Sequence, residues 1–128
     1  MDETPRLSEL YICEKVIFEQ GSGNVSLLNI FQTRVVDSFP SEPFPIVVYG
    51  ALTDGYGAFT IEFRIVHLES DALVYRQSMA MVFTDRLQHA SLICRLNKLS
   101  FKSQGKHDIT VLLNGELPAL ATINVRKR

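Results

Sequence analysis

The stretch Phe59-Thr60-Ile61-Glu62-Phe63-Arg64-Ile65 alternates large apolar and polar residues without a fault. Successive side chains on a strand point to opposite faces, so Phe59, Ile61, Phe63 and Ile65 share a buried face while Thr60, Glu62 and Arg64 meet water. A one-residue slip of register would expose all four apolar side chains, at about 1.5 to 3 kcal/mol each. The segment is a half-buried strand.

Downstream of it, residues 69–72 make a polar reversal, residues 73–83 read as a strand, and residues 84–88 as a loop or a single helical turn. A further strand spans residues 89–96. Leu99 and Phe101 carry the alternation past Asn97, either after a bulge or as a separate edge segment. Ile109, Val111 and Leu113 then alternate up to Asn114-Gly115, a dipeptide suited to the positive φ angles of a type I′ turn, and residues 117–125 run back. Pro118 marks this returning strand as an edge, because proline cannot donate to a ladder. Upstream, Asp54-Gly55-Tyr56-Gly57 is a turn, residues 46–52 a strand, and residues 37–45 a connection, since Pro40, Pro43 and Pro45 fall within it. Residues 10–19 and 25–36 are strands flanking Gly21-Ser22-Gly23-Asn24.

Eight strands with short connections imply antiparallel pairing, because parallel neighbours need crossovers of about a dozen residues or more. The expected fold is all-β: a single antiparallel immunoglobulin-like sandwich, with a closed barrel as its rival. A chain of 128 residues that is 46% hydrophobic is large enough for one core of its own. That domain is expected over residues 10–126, with an N-terminal tail at 1–9 and a basic end at 127–128.

Charged residues make up 21% of the chain and the net charge is -1, so there is no basic field to hold nucleic acid. The N-terminus lacks a positive region followed by an apolar one, and no apolar run approaches the length of a membrane span. A cytoplasmic location is expected, with Cys13 and Cys94 as buried thiols rather than a disulfide.

Catalytic chemistry finds little purchase. His67, His89 and His107 show no ligand spacing, and a metal site would have to be assembled across strands, as from His67 and His107. Neither a nucleophile elbow nor the dense Asp-x-Asp spacing of a calcium site occurs. The glycines between Gly50 and Gly57 lack the lysine and helix of a phosphate loop. The expectation is a non-enzyme with no cofactor and no metal.

Strand parity offers one positive site. Connections one, three, five and seven of an antiparallel eight-strand chain share an end, which gathers Asn24, Asp54, Tyr56, Arg86 and His89, with Ser22, Asp85 and Asn114 beside them. Such loops resemble the binding rims of other sandwiches, although tight turns use the same residue types for conformational reasons alone.

Ser26-Leu27-Leu28-Asn29-Ile30-Phe31, Ser38-Phe39-Pro40, Leu99-Ser100-Phe101 and Gly105 to Val111 before Asn114-Gly115 together resemble a bacterial family of uncharacterised small immunoglobulin-like domains. The resemblance covers residues 11–125, departs at His107 where the family favours an aromatic, and implies a bacterial cytosolic protein of unknown activity. No functional residue carries over. The resulting expectation is an interaction or structural module that binds an unknown protein or itself, through its loops or an exposed sheet edge. The alternative is a small-ligand or carbohydrate-binding sandwich, with the lack of tryptophan arguing against sugar stacking.

Overall fold

β5 (Gly57–His67) carries the alternation read from the sequence: Phe59, Ile61, Phe63 and Ile65 are buried, and His67 extends the series. Around it the computed structural model, which describes residues 3–128 with the side chains of residues 117–120 aside, builds two sheets. In the first, β2 (Val25–Ile30), β1 (Arg6–Phe18), β4 (Ile46–Thr53) and β7 (Ala90–Leu96) lie in that order, all antiparallel. The second orders β3 (Thr33–Val36), β9 (Glu116–Lys127), β8 (Gly105–Leu113), β5 and β6 (Leu73–Phe83). The run β9-β8-β5-β6 reproduces the G-F-C-C′ order of an immunoglobulin sheet, and β4-β7 its B-E pair.

The structure departs from the expected eight antiparallel strands in one region. Residues 25–36 form two strands rather than one, giving nine among the described residues. Asn29 adopts a left-handed φ of 55°, and after the Phe31 amide donates to the Ile12 carbonyl the chain leaves the first sheet. The Asn124 amide then donates to the Gln32 carbonyl, and β3 joins β9 in parallel. The rule against parallel pairing governs strands that follow one another in the chain. It has no hold on β3 and β9, which are separated by most of the domain.

This change of sheet is latched by Arg34 on β3. Its Nη1 lies 2.5 Å from Glu14 Oε1 on β1, and its guanidinium sits 4.8 Å from the centre of the Phe44 ring. The Arg34 contact holds the Glu14 carboxyl below its ordinary range.

Three smaller differences follow from tertiary pairing. β1 begins at Arg6, inside the expected tail, because β4 is long enough to pair with it from Thr53. Leu99 and Phe101 belong to a loop, where the Ser41 amide donates to the Phe101 carbonyl and the Phe101 amide donates to Ser41 Oγ at 3.0 Å. β9 is flanked by β3 along residues 124–127, so it is an edge only over its earlier part; the side chain of Pro118 lies outside the described residues.

The core fills the space between the sheets. Phe63, Ile65, Ile109, Val111 and Ile123 enter from the second sheet, and Val48, Leu52, Leu92 and Cys94 from the first. Cys13 points to the other side of the first sheet, and both cysteines are buried thiols.

Candidate functional site

The end of the sandwich where β4 turns into β5 holds four of the five expected rim residues, and three of them join one cluster. Asp54 takes the left-handed conformation (φ 65°) that the tight turn requires. Tyr56 exchanges backbone hydrogen bonds with Glu3, at 2.8 and 2.9 Å. Arg86, from the β6–β7 loop, stacks 5.0 Å from the centre of the Tyr56 ring while its Nη2 meets Glu3 Oε1 at 2.9 Å. This pairing lowers the Glu3 carboxyl below its usual range and raises the Arg86 guanidinium. Arg6 Nε completes the group, 3.4 Å from Asp54 Oδ2.

His89 lies at the same end, exposed just before β7. Asn24 does not. The extra reversal between β2 and β3 inverts the parity on which its placement rested. The register Phe18↔Val25 sets its turn at the far end of β1 from Arg6↔Thr53. Glu3 and Arg6 were missed by sequence reasoning because they fall in the segment read as a tail. Their opposite charges relative to Arg86 and Asp54 were the available signal. The cluster clasps the N-terminal segment to two loops.

At the opposite end β5 and β8 bring His67 and His107 into register, with ring centres 4.9 Å apart. A cavity of about 170 Å³ opens beside them, lined also by Ser70, Ser100, Lys102 and Ser103. His107 is 1% exposed, and its Nδ1 lies 3.0 Å from the Gly105 carbonyl. A carbonyl oxygen only accepts, so Nδ1 carries the proton and Nε2 presents a lone pair. His67 is oriented the other way: Nε2 donates to the Gln104 carbonyl at 2.9 Å and Nδ1 accepts from the Ser70 hydroxyl at 2.7 Å. Burial pushes the His107 imidazole pKa down, opposed by the Gly105 carbonyl and aided by neighbouring His67. Sequence reasoning named this pair only as a hypothetical metal site, and among the described residues no group of three or more His, Cys, Asp or Glu is placed to hold a metal ion.

The third feature is the outer face of the first sheet. Residues paired across antiparallel strands share a face, so Tyr11 and Cys13 of β1 lie with Tyr49 and Val47 of β4, Ile93 of β7 and Ile30 of β2; past the left-handed Asn29, Val16 of β1 with Val25 and Leu27 of β2 packs into the same cluster. Tyr11 and Ile30 on this face are exposed by 39% and 54%. The outer face of the second sheet has an ion-paired centre: Thr60, Glu62 and Arg64 on β5 face Ala80, Ser78 and Arg76 on β6, Glu62 pairs with both arginines, and Val82 and Leu73 are exposed toward its ends.

Fold and sheet order define an immunoglobulin-like β-sandwich domain. The chain belongs to the family of unknown function DUF6941, whose model matches residues 9–126. No curated protein matches it. Among solved structures it is similar to the Pseudomonas fluorescens alkylpurine DNA glycosylase AlkC bound to DNA containing an abasic site analog, at 12% identity and a TM-score of 0.56, over 98% of this chain. The chain spans only 31% of the length of that glycosylase, and the likeness is one of fold. An immunoglobulin-like protein from Pseudomonas aeruginosa is also similar, at 12% identity and a TM-score of 0.49, covering 97% of this chain and 98% of the other. Among the described residues no helix is long and apolar enough to cross a membrane.

Proposed function

We propose that this domain is a non-catalytic protein-interaction module, and that its contact surface is the outer face of the first sheet. The observation that carries the reading is the contrast between the two outer faces. One centres on Glu62 paired with Arg64 and Arg76; the other carries a second apolar cluster, Cys13, Val16, Val47 and Tyr49 with Val25, Leu27 and Ile93, beside exposed Tyr11 and Ile30. Large apolar side chains gathered on one sheet face and rimmed by charge are the signature of an interaction surface. The absence of catalysis is supported by how the histidine pair is used: both nitrogens of His67 are engaged by the protein, and Ser70 Oγ also accepts the Ala72 amide to close its turn.

Retention of the folded protein on a hydrophobic-interaction column tests this reading. Tyr11→Lys combined with Ile30→Lys should cut retention sharply, while Thr60→Lys with Ser78→Lys on the other outer face should leave it unchanged. Equal loss from both pairs would sink the assignment.

A second reading has its own observation in the cavity at His107. Its Nε2 lone pair and the nearby Lys102 and Ser103 are suited to a small molecule carrying both a hydroxyl and an acidic group. The ring resonances of His107, followed by NMR as acetate, phosphate or glycerol is added, should shift with at least one probe. Resonances unmoved by all three would retire the idea.

A further inference from the structure

We propose that the His107 cavity receives the C-terminal residue of a peptide that lies along β6 as an added strand. The proposal rests on the reading of this cavity as a place for an acidic group beside a hydrogen donor, and adds what carries the two.

The lining of the cavity sets what it can hold. The His107 ring is 1% exposed, and its Nε2 meets no partner among the described residues without being closed off from solvent, so the cavity is where this atom opens. A bare lone pair calls for a donor. The Ser70 and Ser100 hydroxyls are already given to His67 and to the Ser41 carbonyl, which leaves Ser103 and Lys102. Lys102 takes part in none of the ion pairs among the described residues, and Glu69 and Asp71 of the neighbouring turn do not line the cavity. Its ammonium calls for an anion. Ala72, Leu73 and Val74 add an apolar wall, and the volume of about 170 Å³ leaves room for one residue rather than a larger ligand. A C-terminal residue carries all three parts on one carbon: an amide N–H, a carboxylate and a side chain.

The fold supplies a place for the residues that precede it. Of the strands that end the two sheets, β6 is the longest, with 11 residues against 7 in β7, 6 in β2 and 4 in β3. One side of β6 pairs with β5, and on the other no backbone hydrogen bond is made among the described residues. It carries no proline, and its one charged side chain, Arg76, is paired with Glu62. Its one shift of register, where Ile65↔Tyr75 gives way to Val66↔Leu73, lies at the cavity and leaves Tyr75 to Phe83 regular. A second hollow, of about 400 Å³, opens beside Tyr75 against Asn97, Lys98 and Leu99, which leaves room along the strand. Such an edge is a template for one more strand.

Charge sets the direction of that strand. A segment antiparallel to β6 runs from Phe83 toward Leu73 and brings its C-terminal carboxylate to Lys102. A parallel segment would bring its N-terminal ammonium there instead, against a like charge.

NMR titration of the folded chain tests the proposal, with the peptide acetyl-Lys-Thr-Val-Thr-Val bearing a free carboxyl terminus and with its C-terminal amide twin. The acid form should shift the His107 ring resonances and slow hydrogen exchange at every second amide between residues 75 and 83, because the alternate amides already face β5. The amide twin should bind at least about tenfold more weakly, and Lys102→Gln should weaken the acid form to a similar degree. Lys102 is exposed, and an unchanged melting temperature shows that the variant is folded.

Equal binding of the twin, or undiminished binding by Lys102→Gln, would overturn the proposal. If acetate or phosphate moves the His107 ring but the peptide leaves the β6 amides untouched, the peptide is excluded and the cavity reading stands. If the ring ignores peptide, acetate, phosphate and glycerol alike, both fall.

Discussion

His107 is buried at a place where the surrounding protein holds one ring nitrogen and leaves the other bare, and burial lowers its pKa. Stability inherits a pH dependence from this shift. Above about pH 6.5 neither the folded nor the unfolded chain protonates the ring, and the full stability is present. As the pH falls below about 6.5 the unfolded chain takes up a proton that the folded chain resists, so stability declines toward the lowered folded value. The melting temperature of the wild type should therefore drop between about pH 7 and about pH 5, and His107→Phe should flatten that slope. Phe63 is the plainer case. It is buried in the inter-sheet core, and Phe63→Ala should cost about 3 to 5 kcal/mol in a denaturant titration, with the cavity adding to the lost transfer energy.

At the scale of elements, the β4–β5 turn is tight because the N-terminal segment lies across it. A Cβ added at Gly55 would sit 2.7 Å from Pro5 Cβ and 3.1 Å from the Phe83 ring, and neither is the free end of a flexible chain. Gly55→Ala should destabilise the domain by about 1 to 3 kcal/mol, read from the shift of a urea midpoint. The strands themselves were largely legible. Alternation located β5, β8 and β9, and the prolines of residues 37–45 placed the connection before β4. The break between β2 and β3 was not legible. Residues 25–36 keep a strand-like composition throughout, and the change of sheet depends on where β1 and β9 stand. That single omission carried Asn24 to the wrong end of the molecule and made every pairing antiparallel. Of the rim, Asp54, Tyr56, Arg86 and His89 were legible by parity because their loops follow the break, and one miscount displaces only what precedes it.

Across the whole molecule the sandwich is uneven. β5 and β8 lie inside the second sheet and bury alternate residues completely, whereas β2 and β6 are edges. Native-state amide exchange should be slowest at residues 61–65 and 109–111 and fastest in β2, and uniform protection would contradict this ranking. The two outer faces also differ, one centred on an ion-paired patch and one on a second apolar cluster. Local pattern determined the strand class, the half-buried faces and the tight turns, because a side chain's direction on a strand depends only on its parity and a turn's φ angles only on a few residues. Contacts between distant segments decided the rest. The parallel β3–β9 pair, the meeting of His67 with His107 and the gathering of Tyr11 with Ile30 each require strands far apart in the chain to become neighbours. That choice is made by how two whole sheets bury one core, a competition among long-range pairings that no short window of sequence contains.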